Sequence, residues 1–383
     1  MTHTPPSQRV GRRSFDVAPI ELFFDLVYVF AIIQLSHLLV AHLSWLGALE
    51  MVVVFAAVWW GWNYTAWAMN WLDPSRTTVQ VSTGVLMLMA LGMAIAIPDA
   101  FGNAACLFVG CYLLMGVMRP LLVIASFRGT QIAHNYRMLL AWTLFAGVFW
   151  VVGAALDPSA RLALWIIAVA IDYAAPLLQF RVPGVGSAPM HLWDTEPEHL
   201  AERNRLVFII ALGESILMMG GTIVDAEAVS PGLVTSLLLG FAALFVLWWN
   251  YFALAGHNVQ GGDGSTAALR SAYAYAHAFM VLGAILVAVS TELRLSHEHL
   301  TPATVVVTIA GPFVYLMGNV LFLRSRFGRL AASRFVAMAL LLLIGAGSLF
   351  WLDHVPTIML SIAVLAVITA LAVTTVVQSS RQR

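Results

Sequence analysis

Lysine is missing from this chain of 383 residues; all nineteen of its basic residues are arginine. A retinal site or any other Schiff-base chemistry built on a lysine amine is therefore excluded. Charge of either sign is scarce, at 10% of residues against 61% hydrophobic, where a soluble domain carries about a quarter charged residues. No soluble shell could cover so much apolar side chain, which makes a bilayer the expected solvent. The formal net charge is zero, so nothing points to a nucleic-acid partner. Cysteine is nearly absent too. Cys106 and Cys111 fall in one apolar stretch, which reads as two small buried hydrophobes and not as a disulfide framework or a thiolate metal site. No glycine-rich phosphate loop precedes a basic residue, and no soluble stretch exceeds about 25 residues. ATP-driven transport and a large soluble catalytic module are therefore not expected within the chain, and neither is a cofactor or metal.

What the chain has in abundance is long apolar runs. A membrane-crossing helix needs roughly 20 such residues. Twelve stretches meet this, near 18–41, 46–71, 77–97, 102–126, 133–155, 160–180, 203–224, 231–256, 268–290, 302–323, 332–351 and 355–377. The sixth and the last two are the weakest, and a re-entrant segment is the alternative there. With the N-terminus inside, seventeen arginines fall on inner segments and only Arg161 and Arg294 on outer ones, counting Arg119 on its nearer side. Omitting one helix would invert every later loop, so this bias supports both the number of spans and the orientation. The expectation is an all-α, polytopic protein of the bacterial inner membrane, about twelve transmembrane helices long, with both termini cytoplasmic. Residues 1–17 form an inner N-terminal segment, 18–180 a first six-helix half, 181–202 an inner connecting loop, 203–377 a second six-helix half and 378–383 an inner tail.

The halves resemble each other. Leu-Val-Tyr-Val-Phe-Ala-Ile-Ile-Gln34 aligns with Leu-Val-Phe-Ile-Ile-Ala-Leu-Gly-Glu214, and Trp62-Asn63-Tyr64 with Trp249-Asn250-Tyr251. Tyr112-Leu-Leu-Met-Gly116 likewise aligns with Tyr315-Leu-Met-Gly318. Because six is even, such halves share one orientation in the membrane, a parallel tandem repeat.

Two further runs carry a family likeness. Pro19-Ile-Glu21-Leu-Phe-Phe-Asp25-Leu-Val-Tyr28-Val-Phe-Ala-Ile-Ile-Gln34-Leu-Ser-His37 resembles the opening signature of the low-temperature-requirement A family of bacterial membrane proteins. His199-Leu-Ala-Glu202-Arg203 and Ile209-Ile-Ala-Leu-Gly213-Glu214-Ser215-Ile216 resemble its second signature. The likeness runs from about residue 12 to 375, with departures at Tyr28 and at Asn204-Arg205 that leave the acidic positions intact. It implies a multi-pass membrane protein linked by name to growth in the cold, and it supplies no substrate or reaction.

Ionisable groups at bilayer depth need a partner or a functional reason. At about 1.5 Å of helical rise per residue, Asp25, Asn63, Arg119, Asp172 and Asn250 lie at similar depths in the inner half, with Glu21 one turn below Asp25. One arginine, Arg119, would then serve three carboxylates, leaving acids available to exchange a proton. A static Asp25–Arg119 pair with Glu21 at the interface is the plain alternative. Glu214 stands near mid-membrane with no arginine at its depth, and Gln34 is its counterpart in the repeat. It is either a proton site or a neutral acid bonded to a neighbouring helix. Trp59, Asn63 and Trp67 share one helix face, as a pocket lining or as packing. His37 and His277 are core or titrating histidines. His191, Asp194, Glu198, His199 and Glu202 gather ahead of the seventh span without zinc-type spacing, and Pro176 stands four residues beyond Asp172, where it is expected to kink the helix.

The residues thus point to a secondary transporter or carrier of a small or amphipathic solute among membrane lipids, with a proton on Glu214 or Asp25. An intramembrane enzyme acting on a lipid-like substrate through Glu214, Asp25 and His37, or a non-catalytic envelope protein, are the other readings.

Overall fold

The computed structural model of the chain describes residues 17–224, 226, 230–255, 263–296 and 300–380. Twelve long helices dominate it. The first six are α1 (Pro19–Ala41), α2 (Trp45–Met69), α3 (Thr77–Ala96), α4 (Ala105–Ser126), α5 (Gln131–Ala155) and α6 (Pro158–Leu177). They are followed by α7 (Pro197–Val224), α8 (Pro231–Ala255) and α9, which starts at Thr266–Leu269, passes through a π-helical turn at Arg270–Ala276 and continues as His277–Ser296. The last three are α10 (Pro302–Phe327), α11 (Ala332–Phe350) and α12 (Thr357–Ser380). The described residues hold no strand, only an isolated bridge between Val182 and Gly186. All twelve helices are long and apolar enough to cross a membrane, and the chain is a multi-pass, all-α protein. The three spans for which a re-entrant segment was the alternative are unbroken helices of 20, 19 and 24 residues.

One boundary differs in a way that matters. The connecting loop expected to run to residue 202 ends at Glu196, because Pro197 opens α7 with Glu198 in its first turn. Proline at the first helical position and an acid just behind it are start signals, since the missing N–H is surplus there and the carboxylate meets the positive helix end. The loop is also partly interior. Gln179 and Phe180 take left-handed φ values of 56° and 48°, turning the chain so that buried Trp193 packs among Phe180, Tyr136, Trp67 and Trp71.

The chain divides into two compact units. The first comprises Met1–Leu38, Trp45–Asn204 and Ser265–Ala267; the second comprises Leu39–Ser44, Arg205–Gly264 and Ala268–Arg383. In the first, α3 packs on α4, α4 on α5, α5 on α6, and α2 on both α4 and α6. Its centre is aromatic, with Trp60, Trp62, Trp150 and Trp165 fully buried. Arg161 fastens its rim, donating to the carbonyls of Gly102, Gly153, Ala154 and Leu156 at 2.9–3.4 Å, so the acceptors left over at the end of α5 are met by a cation.

In the second unit α9 packs on α10, α10 on α11, α11 on α12, and α8 on α9 and α12. The α9–α10 contact is backbone against backbone: a Cβ on Gly283 would stand 2.6 Å from the Tyr315 nitrogen, and one on Gly318 2.6 Å from the Ala276 carbonyl. Small residues allow such an approach between apolar helices, where packing replaces the hydrophobic effect. α9 is the most enclosed helix, with 83% of its apolar window buried.

Candidate functional site

Within the first unit, α1 and the opening turns of α7 present matched pairs of side chains. Glu21 and Asp25 stand one turn apart on α1, His199 and Arg203 one turn apart on α7, and none of the four has any exposed surface. Arg203 grips Asp25 in a fork, Nε to Oδ2 at 3.1 Å and Nη2 to Oδ1 at 2.5 Å, while Nη1 donates to Glu21 Oε1 at 3.1 Å. The Trp62 indole adds a bond to Asp25 Oδ1 at 2.7 Å, and the guanidinium lies over that ring, 5.8 Å from its centroid. Glu21 Oε2 accepts from the Ala18 N–H at 2.8 Å, which caps the first turn of α1.

His199 completes the group. Its Nε2 lies 3.0 Å from Glu21 Oε1 and its Nδ1 3.1 Å from the Asn70 amide nitrogen. The Asn70 carbonyl oxygen is taken by the Glu196 N–H at 2.6 Å. Asn70 therefore donates to Nδ1, and the imidazole proton sits on Nε2, aimed at the Glu21 carboxylate. The result is a closed ionic lattice. Removing one member of such a buried set costs about 3–5 kcal/mol, because a bare charge is left behind.

This lattice corrects two expectations. Arg119 is not the partner of Asp25 or Glu21, and Asp25 is enclosed by fixed donors instead of facing a mobile ligand. The reason is the early start of α7: it carries Arg203 nearly two turns into the helix, where a guanidinium must find carboxylates.

Arg119, on α4, is 3% exposed. Both of its bonds leave from one nitrogen, Nη1, to the Gly61 carbonyl at 2.7 Å and the Thr65 hydroxyl at 2.8 Å. Its Nε has no partner. The Tyr64 ring lies beneath it at 5.5 Å, and Tyr28, Tyr112 and Tyr136 are also within electrostatic range. Among the described residues no carboxylate makes an ion pair with it. Asp172 on α6, also buried, feels its charge without touching it. Asp172 Oδ2 accepts instead from two neutral donors, the Tyr112 hydroxyl at 2.8 Å and the Trp150 indole at 3.2 Å. Three more buried polar atoms nearby in sequence or space lack partners: Tyr28 Oη, Asn63 Oδ1 and Trp67 Nε1. Tyr28 Oη sits against α2, 3.1 Å from where a Cβ on Gly61 would stand, with Tyr112 and Met115 just beyond.

Gln34 is half-buried and His37 is exposed on the outer face of α1, which corrects the reading of His37 as a core histidine. Glu202 is half-buried. Glu214 falls on α7, but its side chain lies outside the described residues. Asn250, in the second unit, donates to the carbonyls of Val246 and Ile368 at 3.1 and 3.0 Å, a tie between α8 and α12. His277 follows the π-helical turn; its Nδ1 donates to the Ala272 carbonyl at 2.8 Å, so its Nε2 accepts from the Tyr251 hydroxyl at 2.9 Å. Pro176 ends α6 in place of kinking it, since the helix stops at Leu177. Of the polar group ahead of the seventh span, His191 and Asp194 are exposed while His199 faces Glu21. Among the described residues no three His, Cys, Asp or Glu are placed to hold a metal ion.

Sequence reasoning named His199 only within the polar group ahead of the seventh span and left Arg203 out of the site, although one signal was present: their spacing of four repeats that of Glu21 and Asp25. Gly61 and Thr65 carried no signal, and Tyr28 only that of a departure from the family signature, because tyrosine, glycine and threonine are ordinary in apolar helices.

The family described as bacterial low temperature requirement A protein (LtrA) matches residues 16–373. An uncharacterized protein of Rhizobium meliloti (strain 1021) is 34% identical over 308 residues, which is 78% of this chain and 75% of that protein.

Proposed function

The chain belongs to the bacterial low temperature requirement A family, and from that membership and the Arg119–Tyr112–Asp172 centre we propose a secondary carrier that takes a small or amphipathic solute into its first unit. Asp172 is the acid that exchanges a proton in this reading. The observation that carries it is a pair of opposite buried charges that do not neutralise each other by contact. Holding ions in an apolar interior is expensive, and a purely structural pair closes up, as Arg203 does on Asp25 and Glu21. At the second centre the cation rests on a carbonyl and a hydroxyl, and the acid on a phenol and an indole. A carboxylate served by neutral donors can gain or lose a proton without breaking an ion pair.

The tandem repeat belongs to the same reading. Helix pairs three–four, four–five, five–six and two–six of the first unit recur in the second as nine–ten, ten–eleven, eleven–twelve and eight–twelve. Two copies of one six-helix plan suit a carrier whose halves move as bodies. The arginine bias supports an inner-membrane carrier with both ends in the cytoplasm.

The test is a thermal-shift screen of metabolites and lipids on the purified protein, followed by uptake and proton flux in proteoliposomes for whatever stabilises it. Stabilisation and flux are expected in wild type, lost in Arg119→Gln and Asp172→Asn. If no solute stabilises or crosses with the wild type, the carrier reading is wrong; if both variants bind and move the same solutes as wild type, the Arg119–Asp172 centre is not its site.

A further inference from the structure

The bonding at Arg119 names the chemistry of the solute. A guanidinium presents its donors as a planar fork, and two parallel N–H groups on one edge match the two oxygens of a carboxylate. Here Nη1 is committed, since its two hydrogens go to the Gly61 carbonyl and the Thr65 hydroxyl. The opposite edge, Nε with Nη2, is not used by any described residue, and Nε is buried without a partner. Tyr28 Oη is a second partnerless donor on the same patch of α2, held against Gly61. Arg203 shows what such an edge does with a carboxylate in this protein: its Nε and Nη2 clasp Asp25. Asp172, the acid within electrostatic range of Arg119, is turned away onto Tyr112 and Trp150.

We propose that the Nε–Nη2 edge of Arg119, with the Tyr28 hydroxyl as third donor, is the docking point for the carboxylate of an organic anion. This rests on the carrier reading of the same centre and narrows it. The surrounding side chains, Tyr64, Tyr112 and Met115, are aromatic or soft and apolar. They suit an apolar body attached to the carboxylate, and each buried hydrogen bond to a charged group discriminates strongly against a ligand that cannot accept it. Carboxylates of this form come from water-soluble acids or from fatty acids in the bilayer.

The experiment titrates detergent-solubilised full-length protein with propionate, benzoate and laurate. The readouts are melting temperature and intrinsic tryptophan fluorescence. Sodium chloride at equal ionic strength and propionamide, which has the shape without the charge, are the controls. A saturable response to at least one carboxylate and to neither control is expected; benzoate or propionate responding assigns the soluble source, laurate alone the lipid one. Arg119→Lys keeps the charge but not the fork and should weaken binding by ~10-fold or more. Tyr28→Phe leaves both Nη1 bonds in place and should weaken it several-fold, which keeps the test valid if the arginine variant fails to fold. A response that survives both variants unchanged, or the absence of any carboxylate-specific response in wild type, overturns the assignment. If the carboxylates fail while uncharged solutes bind in an Arg119-dependent way, the carrier reading stands and only the ligand class falls.

Discussion

At the scale of single residues, the two buried arginines of the first unit make opposite forecasts. Arg203→Gln strands two carboxylates in an enclosed site, and a loss of about 3–5 kcal/mol is expected, read as a large fall in melting temperature in detergent. Asp172→Asn removes a charge that no cation touches and keeps an oxygen for Tyr112 and Trp150. Its melting temperature should stay level or rise while solute-dependent stabilisation disappears. Finding Asp172→Asn as damaging as Arg203→Gln would place Asp172 in the scaffold. The acids were visible in the sequence because Glu21, Asp25 and Asp172 interrupt apolar runs. Their partners were not. Arg203 lies 178 positions from Asp25, and a one-dimensional reading took the nearest arginine in depth, Arg119, as the balancing charge. Only the meeting of α1 with the opening turns of α7 decides between two arginines of similar chemistry.

At the scale of the helix, composition was a good guide to the body of each span and a poor one to its ends and irregularities. Long runs of apolar character do not show that Pro197 can start a helix in polar company, nor that α9 passes through a π-helical turn at Arg270–Ala276, which no residue type announces. The α9–α10 contact yields an element-level forecast. Gly283→Ala drives a methyl into backbone atoms of α10 and should cost about 1–3 kcal/mol. Gly213→Ala meets nothing within 4 Å and should be neutral or slightly stabilising, since alanine is the better helix residue by roughly 0.5–1 kcal/mol. Thermal unfolding of the two variants checks the difference. A pH effect belongs to α6. Asp157, just outside the span, caps its first turn by accepting from the Ser159 side chain and from the Ser159 and Ala160 N–H groups, and these bonds hold its carboxyl below the usual range. A carboxylate depressed in the folded state contributes stability above its unfolded value and loses that contribution as pH falls through the folded one. Asp157→Ala should therefore lower the melting temperature at neutral pH and make little difference in strong acid.

At the scale of the whole molecule, the arginine count and the helix count agree. The two arginines assigned to the outer side are both engaged: Arg161 by four carbonyls, and Arg294 by the Ser361 hydroxyl at 2.9 Å and the Ser236 carbonyl at 3.0 Å. Those bonds give both arginines a structural role where they stand. The orientation is open to a direct check. With Cys106 and Cys111 replaced by serine, a cysteine at exposed Asn103 should react with an impermeant maleimide on intact cells, and one at exposed His191 only after permeabilisation. The reverse pattern would turn the molecule over. The enclosure of α9 carries a last consequence, for synthesis. A segment that meets little lipid in the finished protein is apolar enough to leave the translocon alone, yet its face around Gly283 fits another helix and not acyl chains. It should pause beside the exit site until α10 emerges, and the two should enter the bilayer as a ready-made hairpin. A chain cut after α9 would then be held by insertion chaperones, whereas one cut after α10 would be released.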